Sequence, residues 1–363
     1  MFELIFLFAM SGYFLQTVWF ILGLQKRFPK KSFDELPEAT VIVAARNEEK
    51  NIPACLEALH NLEYPEGKLE IIIVDDKSTD KTGEIITSFI SDKPKFKKIV
   101  TKKEIGHLKG KTNAIANAIE MAKGEIILTT DADCIVGKTW AKTLTSYYTN
   151  DAAIVNGFTV QNAHSQFSGM QHLDFVFLLA VASGTINYDK PLSCIGNNMS
   201  FRKKAYLEVG GYENLPFSVT EDFNLLFAIH KLKKYKIIYP LDVEGLVTTL
   251  PCADFKTLYR QKKRWGVGGM KAPLRGFLIM SLGWIAHLAI LLLPFFFTPA
   301  GLSLFFFKLT IDFLFLYFVL NQLKLTSTLK YFFTFEIYYI LYVVLLPFAV
   351  LPNRKVKWKG REY

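Results

Sequence analysis

Two acidic clusters carry the first chemical signal in this chain. Asp75-Asp76-Lys77-Ser78-Thr79-Asp80 closes one hydrophobic run, and Asp131-Ala132-Asp133 closes another. Carboxylates grouped at one edge repel each other and any phosphate, and a divalent cation is the natural remedy. A hard oxygen site of one or two carboxylates completed by substrate phosphates is how Mg²⁺ or Mn²⁺ is usually held. A lone Asp-X-Asp is most simply a solvated turn. Here Asp131 and Asp133 follow a hydrophobic strand, and a second acidic strand end precedes them in the same alternating unit, so the metal reading is preferred. Other chemistries find no support. No GxGxxG follows the first strand and no GxxxxGK[ST] occurs, which argues against dinucleotide and P-loop sites. Cys55, Cys134, Cys194 and Cys252 are too dispersed for a disulfide framework or a zinc site, and the six histidines show no ligand spacing.

The elements that must position these carboxylates are legible in the pattern. Residues 40–45, 70–75 and 125–130 are short buried-strand runs, and 97–101 is a weaker one. Residues 114–122 read as helix, and Asn47-Glu48-Glu49 as a polar helix start. Strands alternating with helices imply an α/β unit with a mostly parallel sheet covered on both faces. Ligands bind such sheets beyond the carboxyl ends of the strands, which is where the acidic clusters stand.

The 363 residues are 51% hydrophobic, with 32 Phe, and the excess is concentrated at both ends. Residues 2–24 are long enough to span a hydrocarbon core of about 30 Å. Lys26, Arg27, Lys30 and Lys31 come after the stretch rather than before it. It therefore reads as an anchor, with the N-terminus outside and the chain beyond residue 24 in the cytoplasm. Three more spans are expected at 277–297, 302–320 and 331–351. Lys308 and Asp312, four apart, share one helix face and read as a structural pair facing the bundle. Four crossings would put the basic tail 353–363 outside, against the charge rule, unless the last segment is re-entrant or interfacial. The apolar run 175–182 is too short to cross and reads as a buried helix of the soluble domain. The net charge of +10 sits beside the apolar blocks, with no aromatic-interleaved stripe, which argues for membrane lipids and against nucleic acid as a partner. The organisation expected is an anchor at 1–25, a catalytic domain at 36–275, membrane segments at 276–352 and a tail at 353–363.

The ordered set of motifs resembles the membrane-bound family 2 glycosyltransferases, with their GT-A (Rossmann-like, nucleotide-sugar-binding) fold. The residues that carry the resemblance are Val41-Ile-Val-Ala-Ala-Arg-Asn47-Glu48, Asp75-Asp76-x-Ser78-x-Asp80, Gly110-Lys111-Thr-Asn113-Ala and Thr130-Asp131-Ala-Asp133. Gly196-Asn-Asn-Met-Ser200, Thr220-Glu221-Asp222 and Gln261-Lys-Lys-Arg264-Trp265 complete it. The QxxRW type is shared by cellulose, hyaluronan and poly-N-acetylglucosamine synthases and by ceramide glucosyltransferase-like enzymes.

The resemblance implies inverting transfer of a sugar from a nucleotide donor, expected to be UDP-linked, to an acceptor hydroxyl, with Mg²⁺ or Mn²⁺ at Asp131 and Asp133. It implies Asp222 as the general base with Glu221 beside it. Asn47, Glu48, Asp75 and Asp76 would face the nucleoside, Lys111 the phosphates and Asn113 the substrate, while Asn197 and Asn198 would be acceptor-side substrate contacts or structural ones. Gln261, Arg264 and Trp265 would contact diphosphate and acceptor, on a cationic stretch that also reads as an interfacial helix. A lipid-linked or envelope-glycan acceptor is preferred to a processive polysaccharide synthase, because export needs a conduit that so few spans supply without an oligomer or export partner. The expectation from another class is an inactive membrane scaffold or transporter. A compact chain with one anchor fits a bacterial plasma (inner) membrane.

Overall fold

The computed structural model describes residues 1–101, 103–149, 151–216, 218, 220–352, 355, 357–358 and 361–362. Most of the expected basic tail, 353–363, therefore lies outside the described residues. The chain separates into two compact units: Lys26–Val160 with Cys194–Leu250, and Met1–Gln25 with Gln161–Ser193 and Pro251–Tyr363.

The first unit is α/β. Its strands are β1 (Ala39–Ala45), β2 (Leu69–Asp75), β3 (Phe96–Val100), β4 (Ile126–Asp131), β5 (Ile135–Val136), β6 (Ala152–Asn156), β7 (Thr159–Gln161), β8 (Met199–Arg202), β9 (Lys236–Ile238) and β10 (Val247–Thr249). Seven of them form one sheet in the order β3-β2-β1-β4-β8-β6-β9, and β5-β10-β7 form a smaller one. The four strands expected from sequence are the parallel half, with β1 at its centre between β2 and β4. β1 and β2 are continuous β-branched runs because both faces are covered: Val41, Ile42, Val43, Ile71, Ile72 and Ile73 are fully buried. One face packs on the Ile52–His60 helix through Ile52, Cys55, Leu56 and Leu59. Gly124 is needed where the chain enters β4, since a Cβ there would stand 2.4 Å from the Thr40 nitrogen. β8 runs antiparallel to β4 and β6, with Thr129 opposite Met199.

The second unit is helical. Phe2–Leu24, Gln166–Ile186, Leu274–Leu292, Pro299–Gln322 and 326–350 are long and apolar enough to cross a membrane, by length and composition. The run expected at 175–182 is the middle of the 21-residue Gln166–Ile186 helix, which is buried but belongs to this helical unit and not to the α/β unit. Gln171, His172 and Asp174 shorten the apolar run in the sequence, and each finds a partner within this unit, although His172 Nε2 and Asp174 Oδ1 are buried without a hydrogen-bond partner. Gln171 bonds both backbone groups of Cys252, His172 Nδ1 meets the Gln161 carbonyl, and Asp174 pairs with Lys262. Phe2–Leu24 crosses Gln166–Ile186 so closely that a Cβ on Gly23 would meet the Gly184 backbone.

Candidate active site

At the carboxyl ends of β1 and β2 two turns brace each other. Asn47 takes a left-handed conformation (φ 54°), a geometry Asn tolerates better than most residues. Its Oδ1 accepts from the Thr79 N–H at 2.8 Å and its own N–H donates to Ser78 Oγ. The Glu48 N–H donates to Thr82 Oγ1, and Glu48 Oε2 accepts from Asn51 at 2.8 Å. Asp75 and Asp76 are both buried. Asp75 Oδ1 accepts from the Ser78 N–H at 3.0 Å, its Oδ2 faces Lys98 at 3.9 Å, and Asp76 faces Arg46 at 3.7 Å. Burial opposes ionisation of Asp80, but hydrogen bonds from Thr82 and Glu49 outweigh it and hold its carboxyl below the usual range. This acidic cluster is thus a built wall.

Beyond β4 four of the other predicted residues converge. Lys111, near the start of the Gly110–Met121 helix, reaches Asp131 at the end of β4 at 2.5 Å and Glu221 at 3.7 Å. Burial disfavours the charged lysine, yet Asp131, Glu221 and Asp222 together raise its pKa above the ordinary value. Glu221 and Asp222 open the Glu221–Lys231 helix, where the free N–H groups and helix dipole favour negative charge. Cys194 senses the same pair: burial first, then Asp222 and Glu221, push its thiol up. Residues 111, 131, 221 and 222, far apart in the chain, therefore share one electrostatic neighbourhood. Asp131 and Asp133 share another, since after burial both raise the thiols of Cys55 and Cys134.

A positioning device not legible in the sequence lies behind Asp222. Thr129 Oγ1 in β4 donates to the Gly196 carbonyl at 2.8 Å and the Met199 carbonyl at 3.1 Å, holding the turn that enters β8. Gly196 is backed against Asp222, where a Cβ would stand 3.2 Å from Oδ2. The asparagines of these motifs make framing contacts. Asn113 accepts from the Ile105 N–H and donates to the Lys103 carbonyl, pinning the loop before its helix. Asn198 is fully buried; it accepts from Trp140 Nε1 at 2.8 Å and donates to the carbonyls of Phe158 and Gly245. Asn197 Oδ1 accepts from Thr159 Oγ1 at 2.9 Å. Short polar side chains beside a motif look alike in sequence whether they face a ligand or a backbone carbonyl.

In the helical unit, Gln261, Arg264 and Trp265 lie on the Phe255–Gly269 helix, capped by Asp254, whose carboxylate accepts from the Thr257 N–H at 2.7 Å. Trp265 stacks on Phe175 at 5.5 Å with planes 15° apart. Lys262, buried beneath it, sits 4.6 Å from the Trp265 ring and pairs with Asp174. Sequence reasoning misses this pair, because Asp174 looks like the boundary of an apolar run.

The donor set fits a hard cation. Asp131 and Asp133 offer two carboxylates on one short segment, and among the described residues no group of three or more His, Cys, Asp or Glu side chains is placed to hold a metal unaided. Such a site takes its remaining oxygens from substrate phosphate and water, the usual Mg²⁺ arrangement.

Comparison with known proteins matches two family models, "Glycosyl transferase family 2" over residues 40–210 and "Glycosyl transferase family group 2" over residues 126–351. The chain belongs to the family 2 glycosyltransferases. Among curated relatives of this glycosyltransferase, a protein named "Probable glycosyltransferase YdaM" from Bacillus subtilis is 29% identical over 278 residues, 74% of this chain and 63% of that one. A beta-monoglucosyldiacylglycerol synthase from Nostoc is 30% identical over 261 residues, covering 69% and 52%. The poly-beta-1,6-N-acetyl-D-glucosamine synthase of Staphylococcus aureus is 28% identical over 276 residues, covering 74% and 63%. The chain spans between half and two-thirds of the length of these relatives. A solved structure of similar fold is a mannosyltransferase from Pyrobaculum calidifontis in complex with GDP-Man and Mn²⁺. It has a TM-score of 0.61 and 18% identity, over 93% of this chain and 98% of that one. The α/β unit with its central sheet is thus of the GT-A type.

Proposed function

We propose that this glycosyltransferase is a membrane-bound inverting enzyme that moves a sugar from a UDP-linked donor to a hydroxyl of a lipid-linked or envelope-glycan acceptor, with a divalent metal. The observation that carries the reading is the gathering of Lys111, Asp131, Glu221 and Asp222 around one locus at the end of β4. Inversion requires the acceptor oxygen to attack the anomeric carbon from the face opposite the departing diphosphate. As the new bond forms, the acceptor proton goes to the Asp222 carboxylate, while the electron pair of the breaking bond leaves with the diphosphate oxygen. Lys111 offers a point charge to that oxygen's phosphate; its present partner Asp131 is the group it would share with the donor. Mg²⁺ or Mn²⁺ held by Asp131 and Asp133 would supply further positive charge to the leaving group. Asp75 and Asp76, acceptor-only groups when ionised, suit the uracil imide N–H and nearby donors, with Asn47 and Glu48 forming the adjoining turn. Gln261, Arg264 and Trp265 are assigned to the acceptor and diphosphate side of the same reaction.

The Nostoc relative is named as the synthase of a glycolipid, which favours a lipid acceptor. The staphylococcal relative is named as a polymer synthase, and this supports processive synthesis as the second reading. The test is a donor screen with UDP-Glc, UDP-GlcNAc, UDP-Gal and GDP-Man on purified protein, with product sizing. Asp222→Asn should lower kcat by about 10²–10⁴-fold with the donor KM unchanged. Near-normal turnover in that variant would remove Asp222 from the mechanism, and a ladder of long products would select the polymer reading.

A further inference from the structure

The QxxRW segment is held within the helical unit by two buried charges that have no part in sugar transfer. The stretch 252–269 touches the Gln166–Ile186 helix at three places. Phe255 packs on Phe167 with ring centroids 4.6 Å apart, and Gln171 bonds both backbone groups of Cys252. At the third place Asp174 pairs with Lys262, and the next residue, Phe175, stacks on Trp265 at 5.5 Å. The Phe332–Val350 helix adds the Tyr342 ring, 4.9 Å from the same ammonium. It also crowds the backbone beside Trp265, since a Cβ on Gly266 would fall 2.8 Å from Val350 Cγ2.

Lys262 stands apart from the other cations of this stretch. It is 4% exposed, whereas Lys256 and Arg260 are exposed, and its ammonium lies 4.6 Å from the centroid of the Trp265 ring. Buried against its own carboxylate, it is not placed to meet a substrate as the partly exposed Gln261 and Arg264 are. An ion pair at this depth is a poor source of stability, because desolvation offsets most of the attraction and an apolar pair of similar volume holds helices together as well. What an apolar pair does not supply is a preference for one orientation of an aromatic ring. An ammonium over an indole is drawn to the negative face of the ring, and more strongly where water is excluded. Asp174 fixes where that ammonium stands, and Phe175 holds the ring from the same helix.

We propose that Asp174 and Lys262 are positioning residues for Trp265: the pair holds an ammonium against the indole so that, together with Phe175, the ring keeps one orientation. The pair touches no substrate and acts through the ring. Its consequence for catalysis rests on the assignment of Trp265 to the acceptor side of sugar transfer.

The experiment uses the full chain in detergent micelles, labelled with 5-fluorotryptophan. Of the five tryptophan resonances, the one missing from Trp265→Phe belongs to Trp265, and in wild type it should be a single narrow line. Asp174→Leu combined with Lys262→Met exchanges the ion pair for an apolar one, so Tm should stay within about 3 °C of wild type while the Trp265 line splits or broadens. Phe175→Leu, which keeps both charges, should broaden the same line. Nucleotide release from the donor selected in the screen, with total lipid of the expression host as acceptor, should fall about 10-fold in the double variant with the donor KM unchanged. Adding the double change to Trp265→Leu should cost no more activity than Trp265→Leu alone. A wild-type Trp265 line in a double variant of normal Tm, failure of that variant to fold, or losses that multiply in the triple variant would each overturn the positioning role. Normal nucleotide release by Trp265→Leu would instead remove Trp265 from the acceptor side and refute the reading beneath the catalytic consequence, whatever the fluorine line shows.

Discussion

Replacing Gly196 by Ala perturbs the proposed base without altering any charge. The new methyl would lie 3.2 Å from Asp222 Oδ2 and 3.3 Å from its Cβ, close enough that the aspartate must retreat by a few tenths of an ångström. The backbone accepts the change, since Gly196 is not among the positive-φ residues, and the cost is confined to this contact. A 1 Å misplacement of a reacting group can cost about 10²-fold in rate, so a shift of a few tenths should lower kcat by about 3- to 10-fold. Overpacking at a partly buried contact should cost stability by no more than about 1–3 kcal/mol. The assay is initial rate against donor and acceptor concentration, beside a thermal melt. The donor KM should hold, because Asp222 is assigned to the acceptor. A kcat within twofold of wild type, in a preparation where Asp222→Asn is inactive, would show that Asp222 need not be held where the Gly196 turn puts it. A raised donor KM with unchanged kcat would place Asp222 on the wrong substrate.

Other consequences can be read with simple assays. Lys111→Met should lower kcat/KM for the nucleotide donor by about 10- to 100-fold, the value of one charge-assisted contact, and should weaken product diphosphate inhibition in parallel. Chelation should abolish turnover, with recovery on adding Mg²⁺ or Mn²⁺, and Asp133→Asn should raise the metal concentration needed for half-recovery. Asn198→Ala should destabilise the protein by about 3 kcal/mol or more in denaturant melts, because it strands the Trp140 N–H and two buried carbonyls. Lys262→Met should cost about 3–5 kcal/mol by leaving Asp174 buried and uncompensated, and adding Asp174→Leu should recover most of that loss.

The parallel half of the sheet is legible in the sequence because β1 and β2 carry unbroken β-branched runs and that of β4 is interrupted only by Leu128, a signal that depends only on neighbouring residues. The other half is not. β6, β8 and β9 are strands of three to five residues whose identity comes from pairing with partners distant in sequence. The carboxylates at strand ends can be found because acidity after a buried strand is unusual. The contact of Lys308 with Glu336 on the Phe332–Val350 helix cannot, since a single acid in an apolar span gives no sign of which helix will face it, and helical spacing pairs Lys308 with Asp312 alone. The 21-residue helix around Asp174 is underestimated for a related reason: polar residues that find partners within the bundle look, in one dimension, like the end of an apolar segment. Asn113 and Asn198 show the same limit from the other side, where a motif's fixed spacing does not reveal that their amides bond loops and walls.

Because β8 travels against β4, the two borders of the sheet tolerate editing differently. Residues leading into Met199 arrive beside the reactive carboxylates, whereas those beyond Arg202 emerge at the far border, where the Lys203 N–H meets the Glu125 carbonyl. A tag or added loop grafted just after β8 would disturb a remote rim, while one extra residue just before it would propagate into Asp222. The two ends of one short strand therefore differ in what an insertion puts at risk: the Gly196 turn at one, the start of the Lys203–Glu208 helix at the other.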